Sequence, residues 1–304
     1  MSTISRIIKN IVWSQKLFEF WQRLGVNVTK KHFYSPIPDT RELKNKVDLW
    51  TKKSELPGID MNLEGQMNFL EKIFPLYENE FNFPVNKTKI PHEYYLNNAA
   101  FGLEDATVLY CMIRHFQPRT IIEIGSGYST CVSARACLMN RKEKHRCKLT
   151  SIDPYPRKTH REGFDGLDAH IAKKIEDVEA DFFENLEEND ILFIDSSHIV
   201  RTGGDVNFLF LEILTRLKKG VVVHIHDIFL PFEYPRKWVI DNRTFLSEQY
   251  LLQAFLCFNK SFEVLFGNHF VKTMYPEKTR SLFVPPKGYR ERLFSTSFWI
   301  RKII

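Results

Sequence analysis

At 304 residues, with 43% hydrophobic and 14% aromatic content, the chain is long and apolar enough to bury a full core, which excludes a disordered protein. The net charge of +6 comes from scattered Lys and Arg, with small groups at Lys30 and Lys31, Lys52 and Lys53, and 141–148, so nucleic acid meets no basic stripe interleaved with stacking rings. Five cysteines without a C-x-x-C pair read as reduced thiols of a cytoplasmic protein, and no apolar run approaches the ~20 residues that span a bilayer.

Residues 4–24 place Ile4, Ile7, Ile8, Ile11, Val12, Phe18 and Trp21 among Arg6, Lys9, Lys16 and Arg23 at helical spacing. Such a basic amphipathic helix either docks on its own domain or makes a peripheral contact with a membrane. Two prolines then impose an extended path on 32–39, and helical patches follow at 40–50 and 66–74, the second stopping at Pro75. Residues 1–92 thus read as a helical or extended cap or lid.

Regular alternation begins at Leu103. A helix over 103–116, a strand over 120–124, a helix over 129–139 and a strand over 148–152 come first. Strands near 170–175, 191–194 and 221–225 follow, with a helix over 205–217 before the last of them. A helix over 244–259 and strands at 262–266 and 296–300 close the pattern. Short apolar strands separated by helices describe an α/β domain over 93–304, a doubly wound seven-stranded mostly parallel sheet covered on both faces.

In such a sheet, ligands bind at the carboxyl ends of the strands. The informative residues gather there: Glu123 with Gly125 and Gly127, then Asp153, Asp195, and His226 with Asp227. The strand–turn–helix 121–130 holds two glycines that let backbone approach a ligand closely. Asp153 ends the second strand, where a carboxylate can accept from both hydroxyls of a ribose. NAD is disfavoured because Thr130 stands where the third glycine of G-x-G-x-x-G belongs.

Glu123-x-Gly125-x-Gly127, Asp153 and Asp195 resemble the successive motifs of class I S-adenosylmethionine-dependent methyltransferases. The resemblance covers residues 93–304. More narrowly, 194–198, 203–205 and 224–229 are similar to a bacterial methyltransferase subfamily without an assigned substrate. It implies S-adenosyl-L-methionine as cofactor, with Glu123, Gly125 and Gly127 at its methionine end, Asp153 on the ribose and Asp177 near the adenine. Ser126, Tyr128, Ser129 and Asp195 belong to the same implied site.

Catechol O-methyltransferase is similar here as well. Asp195 and Asp227 match its two metal-binding aspartates, His198 falls at its catalytic lysine, and Ile228 replaces its asparagine ligand. Two readings follow. In one, Asp195 and Asp227, with or without His226, bind a divalent cation such as Mg that acidifies an acceptor hydroxyl. In the other, slightly preferred, His198 or His226 removes the proton without a metal. The candidate catalytic residues are therefore Asp195, His198 and His226, while His224 reads as a buried strand residue.

The acceptor is expected to be a small molecule or a sugar of a glycan. Phe229, Phe232 and Tyr234 follow His226 and Asp227 directly, as either an acceptor wall or a rigid connector. Two alternatives remain open: an iron-dependent hydroxylase using His198, His226 and one aspartate, and a non-catalytic cofactor-binding module.

Overall fold

The computed structural model describes residues 15–29, 31–280, 283–290 and 293–304. The described chain divides into two compact units, one running to Thr51 with Pro235–Phe245, the other comprising Lys52–Tyr234 and Leu246–Ile304. In the first, α1 (Gln15–Arg23) forms the later half of the amphipathic stretch; residues 4–14 lie outside the described set. Asp39 caps α2 (Thr40–Lys44) by accepting from the Arg41 amide, and a separate 3-10 turn, Val47–Trp50, completes the second expected patch. No helix among the described residues is long and apolar enough to cross a membrane.

The second unit opens with α3 (Leu63–Asn68), which runs through a π turn at Phe69–Ile73 into a 3-10 turn at Phe74–Glu80. Pro75 does not end this segment as expected. It sits in the first turn of the 3-10 stretch, where a missing N–H costs nothing. Phe69, Leu70, Phe74 and Phe83 are buried in the main core, so much of 52–92 packs with the sheet.

Seven strands make one sheet in the order β3-β2-β1-β4-β5-β7-β6. They are β1 (Thr120–Ile124), β2 (Lys148–Ile152), β3 (Ala169–Ile171), β4 (Ile191–Ile194), β5 (Val222–Ile225), β6 (Phe262–Gly267) and β7 (Phe298–Lys302). The first five pair in parallel, and β7 runs antiparallel between β5 and β6. Pleating splits their side chains between two layers: Ile121, Leu149 and Phe193 join the core under α4 (Leu103–Phe116) and α5 (Tyr128–Lys142). Ile122, Ile152 and Ile194 join the opposite core. There they meet the helical run opened by α7 (Asp205–Phe208), which follows the short α6 (Lys158–Glu162), and α8 (Glu248–Leu256).

Several expected elements differ in extent. β3 keeps only three residues, the helix over 205–217 becomes α7 followed by π and 3-10 turns, the helix over 244–259 shortens to α8, α5 runs three residues past the expected 139, and the last strand begins two residues late at Phe298. Helices α9 (Asn268–Met274) and α10 (Pro276–Arg280) lie between β6 and β7.

Candidate functional site

Neighbouring parallel strands deliver their ends to one edge. Past each strand the ladder continues for one more bond: Asp153 N donates to Ile171 O at 3.1 Å, Gly125 N to Ile152 O at 2.9 Å, Asp195 N to Ile124 O at 3.0 Å and His226 N to Ile194 O at 3.0 Å. Residues 125, 153, 195 and 226 therefore leave the sheet side by side.

Gly125 takes φ +93, and a Cβ there would lie 2.3 Å from the Asp195 carbonyl oxygen, so only glycine fits. Gly127 has open space where a Cβ would stand. Below the turn, buried Glu123 accepts from Ser129 Oγ at 2.5 Å on one oxygen, while its other oxygen has no partner. Burial pushes this carboxyl up to about 8, against the pull of the Ser129 hydroxyl. Ser126 Oγ donates to Asp153 Oδ2 at 2.6 Å, and the Tyr155 amide holds Oδ1 at 2.7 Å. Behind the turn, buried His160 donates from Nε2 to the Gly127 carbonyl at 2.9 Å; burial lowers its pKa, keeping the ring neutral. Tyr128 shares a 2.8 Å bond with Tyr95, and Arg157 lies 4.3 Å above its ring.

Asp177 lines a groove with Lys173, Asp181, Lys218 and Ile171, and the Ile171 carbonyl accepts from the Asp153 amide at 3.1 Å.

A second group lies beside the first. His198, at φ +59, bonds Glu248 Oε2 through Nδ1 at 2.7 Å and Asp195 Oδ1 through Nε2 at 3.1 Å, with Asp227 Oδ2 at 3.6 Å. Burial opposes a charge on this ring, but Asp195 and Glu248 outweigh it and raise its pKa well above the usual histidine range. His226 is held more loosely. Its Nε2 faces Asp105 Oδ2 at 3.5 Å, and its Nδ1 stands 3.7 Å from Asp195 Oδ1 and 3.5 Å from Asp227 Oδ1. Against the cost of burial, the carboxylates of Asp195, Asp105 and Asp227 raise it to about 9. The two rings in turn hold Asp195 well below the usual carboxylate range, although burial alone would raise it.

Asp195 and Asp227 both face the same two imidazole nitrogens, His198 Nε2 and His226 Nδ1, at 3.1 to 3.7 Å. Among the described residues no group of three His, Cys, Asp or Glu is arranged to hold a metal ion. His224 lies in the core, stacked on Phe193 at 3.7 Å and bonded to Ser297 Oγ at 2.9 Å.

Three working residues were not singled out in the sequence. Asp105, on the first turn of α4, takes the Thr296 and Ser297 amides as well as facing His226. Glu248 opens α8, and His160 is the third. Asp205, from the Gly203-Gly204-Asp205 motif, opens α7 and holds the Ser197 amide and hydroxyl at 2.7 and 2.6 Å, bracing the loop that carries His198.

Phe229 and Tyr234 are buried, and Gln249 ties their segment down through the Phe229 amide and the Phe232 carbonyl. Most of this stretch is a packed connector. Phe232, Phe294 and His269, grouped with Phe229, keep exposed area.

Residues 122–228 match a family model described as a methyltransferase domain. Over 165 residues the chain is 36% identical to an uncharacterized protein of Archaeoglobus fulgidus, the match covering 52% of this chain and 73% of that protein. Among solved structures it is similar to the apo form of CmcI, with 13% identity, coverage of 76% of this chain and 95% of the other, and a TM-score of 0.41. An O-methyltransferase from Bacillus cereus in complex with SAH gives 16% identity, 65% and 82% coverage, and a TM-score of 0.34. Likeness this distant says nothing of substrate or chemistry.

Proposed function

We propose that the chain, whose residues 122–228 match a methyltransferase domain, is a class I S-adenosylmethionine-dependent methyltransferase that methylates a hydroxyl oxygen of a small molecule or sugar, with His226 as the proton acceptor. The observation that carries the reading is the 2.6 Å bond between Ser126 and Asp153, which brings the β1 turn and the β2 carboxylate to one place on the sheet edge.

The residues present fit the cofactor. Asp153 keeps lone pairs for a ribose diol, the open space at Gly127 admits a ligand against the backbone, and the unpartnered oxygen of Glu123 offers an acceptor to its ammonium end. When bound, it supplies an activated methyl group on a sulfonium centre. What remains for the protein is to hold the acceptor oxygen at near-attack distance and to take its proton.

His226 suits the second task. Its Nδ1 makes no short bond to either aspartate, standing 3.5 to 3.7 Å from both, and Asp105 backs its other nitrogen. Asp195 and Asp227 flank that nitrogen, where they can orient an acceptor O–H that approaches it. Calorimetry with S-adenosylmethionine and S-adenosylhomocysteine tests the cofactor site, and transfer of labelled methyl to a panel of catechols and free sugars tests the acceptor class. Micromolar binding by neither nucleoside would overturn the first part; transfer confined to amines or thiols would overturn the second.

A further inference from the structure

The positive charge of the chain is concentrated in its smaller unit. Residues 1–51 and 235–245 hold twelve of the 43 Lys and Arg but five of the 37 Asp and Glu, which leaves the rest of the chain close to neutral. Of these cations, Arg23, Lys44, Arg236, Lys237 and Arg243 are exposed and make no ion pair among the described residues.

The same unit exposes apolar surface. Helix α1 carries Leu17, Phe20, Trp21 and Leu24 at the i, i+3, i+4, i+7 spacing of a single apolar stripe. A Schellman turn ends it at Gly25, whose amide donates to Gln22 O while that of Val26 donates to Trp21 O, both at 2.9 Å. Val26 is thereby folded back to the end of the helix, and Phe20, Leu24 and Val26 are all exposed. Further along, the Ser35 amide donates to His32 O at 2.9 Å and closes a turn whose two central residues are Phe33 and Tyr34. Such a tip ordinarily holds Gly, Asn, Asp or Ser. Here it holds two aromatic rings, 4.0 Å apart between centroids and each 81% exposed.

A lone exposed ring needs no explanation, but apolar side chains gathered in a strongly basic unit do. Cations alone would suit any polyanion, and rings alone could stack on bases or sugars. Among anionic partners of that kind, only a lipid bilayer also offers hydrocarbon to the exposed aliphatic chains of Leu24, Val26 and Ile37. We propose that this unit docks on a bilayer rich in anionic lipid, with Phe33, Tyr34 and the α1 stripe at the boundary of headgroups and acyl chains and the cations against lipid phosphates. The docking stands independently of the reaction carried out at the sheet edge.

The test is sedimentation of the full chain with vesicles of phosphatidylcholine alone or with about one third phosphatidylserine. The protein should bind the anionic vesicles, bind the neutral ones at least about tenfold more weakly, and leave the anionic ones as salt rises from about 0.1 to about 0.5 M. Phe33→Ser with Tyr34→Ser should weaken anionic-vesicle binding about tenfold or more, and Arg236→Glu with Lys237→Glu should do likewise. Both pairs should melt like wild type, because these side chains already lie in water. Tyr34→Trp keeps a ring at the turn tip and gives a second reading: its added fluorescence should be quenched by bromine-labelled acyl chains. No binding to anionic vesicles, full affinity after loss of both rings, or an unquenched Tyr34→Trp signal in bound protein would each overturn the proposal. Heparin or single-stranded DNA bound as tightly as the vesicles with the rings dispensable would overturn it in favour of a soluble polyanion. A dimer dispersed by Phe20→Ser with Leu24→Ser would overturn it in favour of a second copy.

Discussion

Ser126 Oγ donates to Asp153 Oδ2 across 2.6 Å, joining the turn that leaves β1 to the carboxylate that ends β2. The two belong to adjacent parallel strands in register, Ile124 opposite Ile152, so their meeting follows from the sheet itself. Asp153→Ala should weaken S-adenosylhomocysteine binding about 10- to 100-fold, the worth of hydrogen bonds to a charged group. Ser126→Ala should cost far less, because it removes only an internal partner of that carboxylate. Calorimetry on both variants checks the order, and equal losses would show that the bond, not the carboxylate, matters.

The two glycines of the turn should part company on substitution. Gly125→Ala places a methyl 2.3 Å from the Asp195 carbonyl oxygen at φ +93, and should destabilise the protein by at least about 2 kcal/mol in urea unfolding. Gly127→Ala meets no atom within 4 Å, so its unfolding midpoint should stay near wild type. Its nucleoside affinity should nonetheless fall, since the added methyl occupies the space proposed for the ligand. A Gly127→Ala protein that binds as well as wild type removes that space from the site.

Strand ends were the legible part of the molecule. β1, β2 and β4 each end in an isoleucine that meets Gly or Asp, and Asp153, Asp195 and Asp227 follow from their places after strands. The helical run after Asp205 was harder, because α, π and 3-10 turns bury nearly the same spacing of side chains. Asp105 and Glu248 were hidden for a different reason. An acid in the first turn of a helix looks like ordinary complement to its dipole, and nothing local reveals that its partner is a histidine far along the chain.

Arg114, nearly buried on α4, bonds Glu80 at 2.7 Å and Glu143 at 2.6 Å, and also reaches Asn140. It links the segment ahead of the sheet unit's helices to the end of α5. Arg114→Met should cost about 3 kcal/mol, because the acids it pairs lose their counter-charge while Asn140 stays buried. Guanidinium unfolding measures this, with cofactor affinity unchanged because the site lies at the other end of the strands.

Alkaline pH should loosen the protein and switch on the chemistry over one range. His226 rises from 6.5 in the unfolded chain to about 9 when folded, since the carboxylates of Asp195, Asp105 and Asp227 overcome the cost of its burial. A raised pKa means that the folded state holds the proton more tightly, so its stabilisation is complete below pH 6.5 and is lost as pH climbs through about 9. Glu123, raised from 4.5 to about 8 by burial, works in the same direction over a lower window. The shift of His226 corresponds to on the order of 3 kcal/mol. Melting temperature should therefore fall steadily between pH 6.5 and 9, and by less in His226→Gln. As proton acceptor, His226 must lose its proton before each turnover, so kcat/KM should climb tenfold per pH unit across neutrality and level off near 9. A bound sulfonium repels the ring's positive charge, which should move the corresponding step in kcat to lower pH. A profile flat between 6.5 and 9 in an enzyme that melts as expected would take the proton-acceptor role away from His226 while leaving its structural one in place.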